Sequence, residues 1–166
     1  IQALQLANAL APYDPYFYEE PLRPEHIPAW ARLRQQMQVP LATGESLYTR
    51  FEFLDLITAQ GADIIQPDVC VCGGLLEMRK IAAIAEAHYV TVAPHNPMGP
   101  IATAVNVHFS AATPNFKMLE YVMPVGTAWE KCVLDPYLPK DGYLGLRDTP
   151  GLGIDVNEEA ITDNPY

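Results

Sequence analysis

Apolar residues recur along the chain as short runs separated by stretches with helical spacing. Ile1, Leu4, Leu6, Ala7 and Leu10 form the first helical stripe, which Pro12 is expected to close. Tyr16-Phe17-Tyr18 then has strand propensity and ends at Glu19-Glu20-Pro21. Pro28 opens a second helix with Trp30, Leu33 and Met37 on one face. Val39 to Thr43 reads as a strand ending at Gly44-Glu45. The stretch from Ser46 to Gln60 follows as a helix with Leu47, Phe51, Leu54 and Ile57 in its stripe and Gly61 as its C-terminal cap. Asp63 to Asp68 is the next strand, and Gly73-Gly74 leads into a helix carrying Leu75, Met78, Ile81, Ala82 and Ala85. Tyr89 to Ala93 is a strand ending at Pro94-His95, a helix runs from Gly99-Pro100 to Ala111, and Lys117 to Glu120 is a last strand.

Strands and helices that alternate in this way, with nearly continuous apolar strands, predict an α/β fold built on a parallel sheet covered on both faces. That pattern occupies residues 1–121. Residues 122–166 form a Pro- and Gly-rich tail in which Gly142 to Leu146 and Gly151 to Ile154 suggest short strands or turns, read as the chain returning toward a second domain.

The polar residues share the period. Glu19, Glu45, Asp68, His95 and Glu120 each close an apolar strand, at separations of 26, 23, 27 and 25 residues. One strand–helix unit takes about that many residues, and a (β/α)₈ barrel gathers the C-terminal ends of its strands around the mouth of its active site. Five ionisable groups in phase are expected to share one mouth, whereas any one of them alone would read as a solvated strand end.

Composition narrows the partners. The 166 residues are 49% hydrophobic and 18% charged, with 10 Lys+Arg against 20 Asp+Glu and a formal charge of −10. So acidic a chain, without a Lys/Arg cluster, is a poor ligand for nucleic acid or an anionic membrane. No apolar run approaches the ~18 residues of a membrane helix. Cys70, Cys72 and Cys132 lack paired spacing, so reduced thiols in a cytoplasmic protein are expected rather than a disulfide framework or a zinc site.

Glu19 and Glu45 have the chemistry of metal ligands. Two carboxylates about 4 Å apart repel by ~4 kcal/mol at an effective dielectric of 20, so a cleft that brings them together favours a cation between them. Oxygen donors alone select a hard ion, and Mg²⁺ fits. Glu20 must project differently from its neighbour and is expected either to back the metal ligands from behind or to support structure. Asp68 and His95 lie on neighbouring strands and can form a hydrogen-bonded dyad, in which the carboxylate fixes the imidazole tautomer and favours its protonated form. His26, His88 and His108 fall within helical stretches or at their ends and carry no such expectation.

At Tyr18-Glu19-Glu20-Pro21, Ala42-Thr43-Gly44-Glu45-Ser46-Leu47-Tyr48-Thr49-Arg50, Ile64-Ile65-Gln66-Pro67-Asp68, Gly73-Gly74, Ala93-Pro94-His95-Asn96-Pro97-Met98-Gly99-Pro100 and Leu119-Glu120, the sequence resembles the enolase superfamily. Within it, the sequence is most similar to the mandelate racemase-like sugar-acid dehydratases, nearest the galactonate dehydratase branch. The resemblance runs from Ile1 to about Glu159. It implies barrel strands four to eight with their helices, followed by a tail directed at an N-terminal capping domain. It also implies that Glu19 and Glu45 are ligands of an essential Mg²⁺, and that His95, oriented by Asp68, is an acid/base catalyst that protonates a departing β-hydroxyl. Glu120 would bind the enediolate or the substrate carboxylate, and Arg50 is the basic group expected to help hold an anionic substrate. The implied reaction is dehydration of an aldonate such as galactonate to a 2-keto-3-deoxy acid.

Two family features do not occur in the sequence: the Asp that is the first metal ligand and the His two residues after it that takes the α-proton. The repeat places their strand end some eight residues before Ile1. The chain is therefore expected to act as the C-terminal portion of an enzyme, inactive alone and homo-oligomeric when complete. Two alternatives stand beside this expectation: a racemase or epimerase of the same superfamily, and a noncatalytic half-barrel that serves as an assembly module.

Overall fold

The structure, a computed structural model, describes residues 1–122 and 131–163. Its centre is a parallel sheet of four short strands, β1 (Tyr18–Glu19), β2 (Leu41–Thr43), β3 (Ile64–Ile65) and β4 (Thr91–Val92), in the spatial order β1-β2-β3-β4. Tyr18 pairs with Leu41, Ala42 with Ile64, and Ile64 with Thr91. Helices α1 (Gln2–Leu10), α2 (Ile27–Arg34), α3 (Thr49–Thr58), α4 (Leu75–Ala87) and α5 (Pro100–Ala111) alternate with the strands, and a short α6 (Glu158–Thr162) lies near the C-terminus. Parallel neighbours need a crossover, and here α2, α3 and α4 supply the three.

The expected fifth strand joins this sheet at a single step, and earlier than its apolar run suggested. Val92 donates its N–H to the Asn115 carbonyl at 2.9 Å and accepts from the Lys117 N–H at 2.8 Å, which makes Phe116 its parallel partner. The segment then leads to Glu120 at the same end of the sheet as the other strand-end groups.

Side chains alternate across the sheet, as a period of two requires. Leu41, Ile65 and Val92 face the helices and pack with Trp30, Phe53, Leu56, Met78 and Ile81, whereas Ala42, Ile64 and Ala93 turn to the opposite face and pack with Phe17. The large residues thus sit between sheet and helices, and the inner face carries a smaller cluster beneath the strand ends.

Several sequence expectations shift at the helices. The first helix does end before Pro12, at Leu10, and a 3-10 turn over Ala11–Tyr13 follows it. In α1, Ala7 is the one buried residue, and Ile1 and Leu6 of the expected stripe are exposed. Met37 lies beyond the end of α2. In α3 the buried face is Phe53, Leu56 and Ile57, while Phe51 and Leu54 are exposed. The cap of α3 differs as well. Gln60, at φ 56°, takes the left-handed position, and Gly61 donates its N–H to the Leu56 carbonyl at 3.0 Å. This is a Schellman ending. Tyr89, at φ 61°, closes α4 in the same way, with the Val90 N–H donated to the Ala85 carbonyl at 2.9 Å.

The described part of the tail packs on α5, where Tyr137 joins Ala104 and Val107, flanked by Leu119, Leu144, Leu152 and Ile154. Arg147 holds it together. Its guanidinium lies 4.1 Å from the centre of the Tyr137 ring and donates to the carbonyls of Asp135, Pro136 and Gly153. The expected Gly142 to Leu146 element is a tight turn, with Lys140 and Tyr143 exchanging backbone hydrogen bonds around Asp141 and Gly142. Residues 123–130, the start of the tail, lie outside the described residues.

Candidate active site

Each strand delivers its polar residue to the same end of the sheet. After β1 the backbone of Glu20 takes a left-handed conformation at φ 44° and donates its N–H to the Ala42 carbonyl. That twist separates the two glutamates. Glu20 turns its carboxylate onto the end of β2, where Oε1 accepts from the Thr43 hydroxyl and from the Gly44 N–H at 3.0 Å. Glu19 is left exposed at the mouth, with its Oε1 held by the side-chain amide of Gln66 from β3. The expectation that Glu20 has a supporting role agrees with this geometry.

Gly44 is the hinge that presents Glu45. Its φ of 134° is open to glycine and rarely to other residues, and a Cβ there would lie 2.8 Å from Phe53 Cε1 and 3.1 Å from the backbone nitrogen of Gln66. Glu45 then extends toward His95, whose Nε2 lies 3.5 Å from Glu45 Oε2.

Asp68 and His95 form the expected pair. His95 Nδ1 is 2.8 Å from Asp68 Oδ2, and Asp68 is 1% exposed, its other oxygen accepting from the Cys70 N–H at 2.7 Å. Because an ionised carboxylate only accepts, Nδ1 carries a proton and Nε2 is the atom that can gain or lose one. The hydrogen bond to Asp68 raises the His95 pKa above the usual histidine value; burial opposes that rise, and the charges of Glu45, Glu120 and Asp68 reinforce it. Glu45 is raised as well, first by burial and then by Glu20, Glu19 and Glu120, with His95 pulling the other way. Five carboxylates and one imidazole therefore share a single electrostatic neighbourhood. Such a site can hold a proton on His95 Nε2 near neutral pH and deliver it to a leaving group.

Glu120 reaches the mouth through a residue to which sequence reasoning gave no role. The Asn96 backbone N–H donates to Glu120 Oε2 at 2.8 Å, and the Asn96 side-chain amide donates to the Glu120 backbone carbonyl at 2.9 Å. Thr103 and Asn106 of α5 lock that amide in place. Gln66 was likewise passed over. Its signal was present in the strand alternation, which puts Ile64, Gln66 and Asp68 on one inward-facing row.

Arg50 is not brought into this cluster. Its Nη1 contacts both oxygens of Glu77, at 2.7 and 2.9 Å, its backbone N–H donates to the same carboxylate at 3.0 Å, and its guanidinium lies 4.4 Å from the Phe51 ring centre. The Arg50 backbone N–H, helped by its guanidinium and by Lys80, holds the Glu77 carboxyl down at about 2. Arg50 thus clips the start of α3 to the start of α4.

Among the described residues, no three His, Cys, Asp or Glu side chains converge as a metal site. Two carboxylates are nevertheless a sufficient protein share for Mg²⁺, which keeps waters and substrate oxygens in its remaining positions. The donor chemistry of Glu19 and Glu45 fits such an ion. So does the crowding of negative charge around Glu45, and so does a buried Gln66 Oε1 with no hydrogen-bond partner among the described residues. No disulfide links Cys70, Cys72 or Cys132, and no described helix is long and apolar enough to cross a membrane.

Comparison with known proteins gives a consistent result. A family model described as enolase C-terminal domain-like matches residues 1–160. The D-galactonate dehydratase of Ralstonia nicotianae is 38% identical over 164 residues, covering 95% of this chain and 43% of that protein; that of Cronobacter sakazakii is 39% identical over 162 residues, covering 94% and 42%. Among solved structures, an enolase from Agrobacterium radiobacter, provisionally assigned as a galactarate dehydratase and crystallised with sodium and L-malate, superposes with a TM-score of 0.94. It is 60% identical, with 99% of this chain and 45% of that chain covered. A mandelate racemase/muconate lactonizing enzyme from Jannaschia sp. CCS1 gives 0.92 at 36% identity, covering 99% and 42%. The chain spans less than half the length of the relatives it matches.

Proposed function

The chain belongs to the enolase C-terminal domain-like family, and from that premise we propose that it carries the acid–base machinery of a Mg²⁺-dependent acid-sugar dehydratase. The observation that carries this reading is His95, held by buried Asp68 at 2.8 Å and facing Glu45 at 3.5 Å, at the C-terminal ends of parallel strands.

Glu19 and Glu45 would hold the Mg²⁺, which would supply positive charge to offset the negative charge of a substrate carboxylate. In the dehydration a base takes the proton α to that carboxylate and the β-hydroxyl leaves as water; the enol so formed then tautomerises to a 2-keto-3-deoxy acid. His95 serves the second half. With Nδ1–H committed to Asp68, the imidazolium gives its Nε2 proton to the departing β-hydroxyl, and the electrons of the broken C–O bond leave with the oxygen. Asp68, accepting from Nδ1–H, keeps the ring from rotating. Glu120, anchored by Asn96, would bind the enediolate or the substrate carboxylate, as a hydrogen-bond donor or through the metal shell. Glu20 holds the ends of β1 and β2 in register so that Glu19 and Glu45 face the same space.

An aldonate such as galactonate is the substrate class favoured by the curated relatives. A diacid is a second reading, favoured by the 60% identity to a structure assigned to galactarate. The full reading frame that encodes this chain should be expressed, supplied with Mg²⁺ and tested against aldonic and aldaric acids in D₂O. Dehydration yields a keto acid, whereas a racemase or epimerase returns deuterated substrate. His95→Asn is expected to lower kcat by about 10²–10⁴-fold with Mg²⁺ affinity unchanged, whereas Glu45→Gln should weaken the metal. Near-normal turnover by His95→Asn overturns the assignment. The isolated 166 residues are expected to be inactive, since β1 leaves an unpaired outer edge among the described residues.

A further inference from the structure

We propose that Gln66 is a positioning residue for the metal centre, holding Glu19 by one oxygen so that the other is presented to the cation. The inference rests on the reading of Glu19 as a metal ligand. Gln66 is 5% exposed, follows β3 directly, and is fixed at its backbone by an N–H donated to the Thr43 carbonyl at 2.9 Å. Its side chain reaches past β2 to Glu19, 47 positions away in sequence.

The amide's orientation is unambiguous. Nε2 donates to Glu19 Oε1, so Oε1 of the amide points away. Oε1 is then a buried acceptor with no partner among the described residues. Such an atom is costly unless a donor reaches it. A hydrated divalent cation would suit both ends of the amide: Glu19, as its ligand, would keep the N–H, and water brought by the ion would be the donor that Oε1 lacks. Metal-ligating carboxylates are commonly oriented by a hydrogen bond of this kind, and losing it costs about 10–100-fold in metal affinity.

The test uses the full-length protein and Mn²⁺ as probe, with the free ion followed by electron paramagnetic resonance and Mg²⁺ as competitor. Gln66→Met, which keeps chain length and removes both polar atoms, is expected to raise the Mn²⁺ Kd by about 10–100-fold. A purely structural role would lower the melting temperature of the metal-free protein and leave Kd unchanged below it. A second measurement needs no substitution: the Gln66 side-chain amide resonances should move on addition of Mg²⁺. If the unsubstituted protein binds Mn²⁺, a Gln66→Met affinity within twofold of it, or an amide signal indifferent to Mg²⁺, overturns the role of Gln66 alone. If the unsubstituted protein binds neither ion, the metal assignment of Glu19 falls with it.

Discussion

Replacing Gly44 by alanine should damage both the fold and the site, and its cost can be worked from the geometry. An L-residue at φ 134° is strained by about 1–2 kcal/mol. The added methyl would sit 2.8 Å from Phe53, a fully buried ring, and 3.1 Å from the Gln66 backbone. Neither neighbour is a flexible tip that can swing aside, so overpacking adds about 1–3 kcal/mol. The total, about 2–5 kcal/mol, corresponds to a drop of ~1–3 M in the urea midpoint at the usual slope for a small domain. Gly74→Ala is the internal control. Its φ of 87° is also left-handed, but nothing lies within 4 Å of the new methyl, so only the strain applies. Urea denaturation of the two variants beside the unsubstituted protein separates the contributions. A Gly44→Ala midpoint no lower than that of Gly74→Ala would refute the claim that Phe53 and Gln66 wall in the turn before Glu45.

Two further outcomes follow from the pKa directions. Asp68→Asn removes the main cause of the raised His95 pKa, so the imidazole should titrate at lower pH by NMR; an unmoved titration would refute the dyad. The sign for stability is fixed by the same shift: the pair's contribution is complete below the unfolded histidine pKa and is lost as pH rises through the higher folded one, so Asp68→Asn should flatten that dependence. Burial pushes the Cys72 thiol up to about 12, whereas Cys70 is exposed and less strongly raised. Iodoacetamide at pH 8 should therefore label Cys70 and reach Cys72 only after denaturant is added, as read by peptide mass spectrometry.

The sequence announced the strand ends more clearly than the helices. Glu19, Glu45, Asp68, His95 and Glu120 were legible because one strand–helix unit repeats at nearly constant length, and the 2.8 Å dyad follows from two adjacent repeats. The face of α3 was not legible, because Phe51, Phe53, Leu54, Leu56 and Ile57 leave no polar side to break the symmetry. Gly61 misled differently. Its small size serves close packing, since a Cβ there would lie 2.6 Å from Leu56 Cδ1 and 3.3 Å from Trp30 Cβ, while Gln60 takes the unusual backbone angle. Arg50 looked like a free cation because its partner, Glu77, lies 27 residues away on another helix. The hydrogen bonds of Gln66 and Asn96 were hidden for a related reason: they join residues 47 and 24 positions apart.

The unshuffled strand order β1-β2-β3-β4 bears on how the chain acquires its structure. Tyr18 and Leu41, Ala42 and Ile64, and Ile64 and Thr91 are 23, 22 and 27 positions apart, so each ladder closes on the strand just made and none waits for a distant one. Parallel sheets are slow to form when their partners are remote, because loop closure precedes the reward of pairing. Here each unit can dock as it leaves the ribosome, and each new strand covers the edge left by the one before it, while the outer edge of β1 stays unpaired among the described residues. The site assembles in the same sequence. Glu19 waits for Gln66, Asp68 waits for His95, and Glu120 is fixed last.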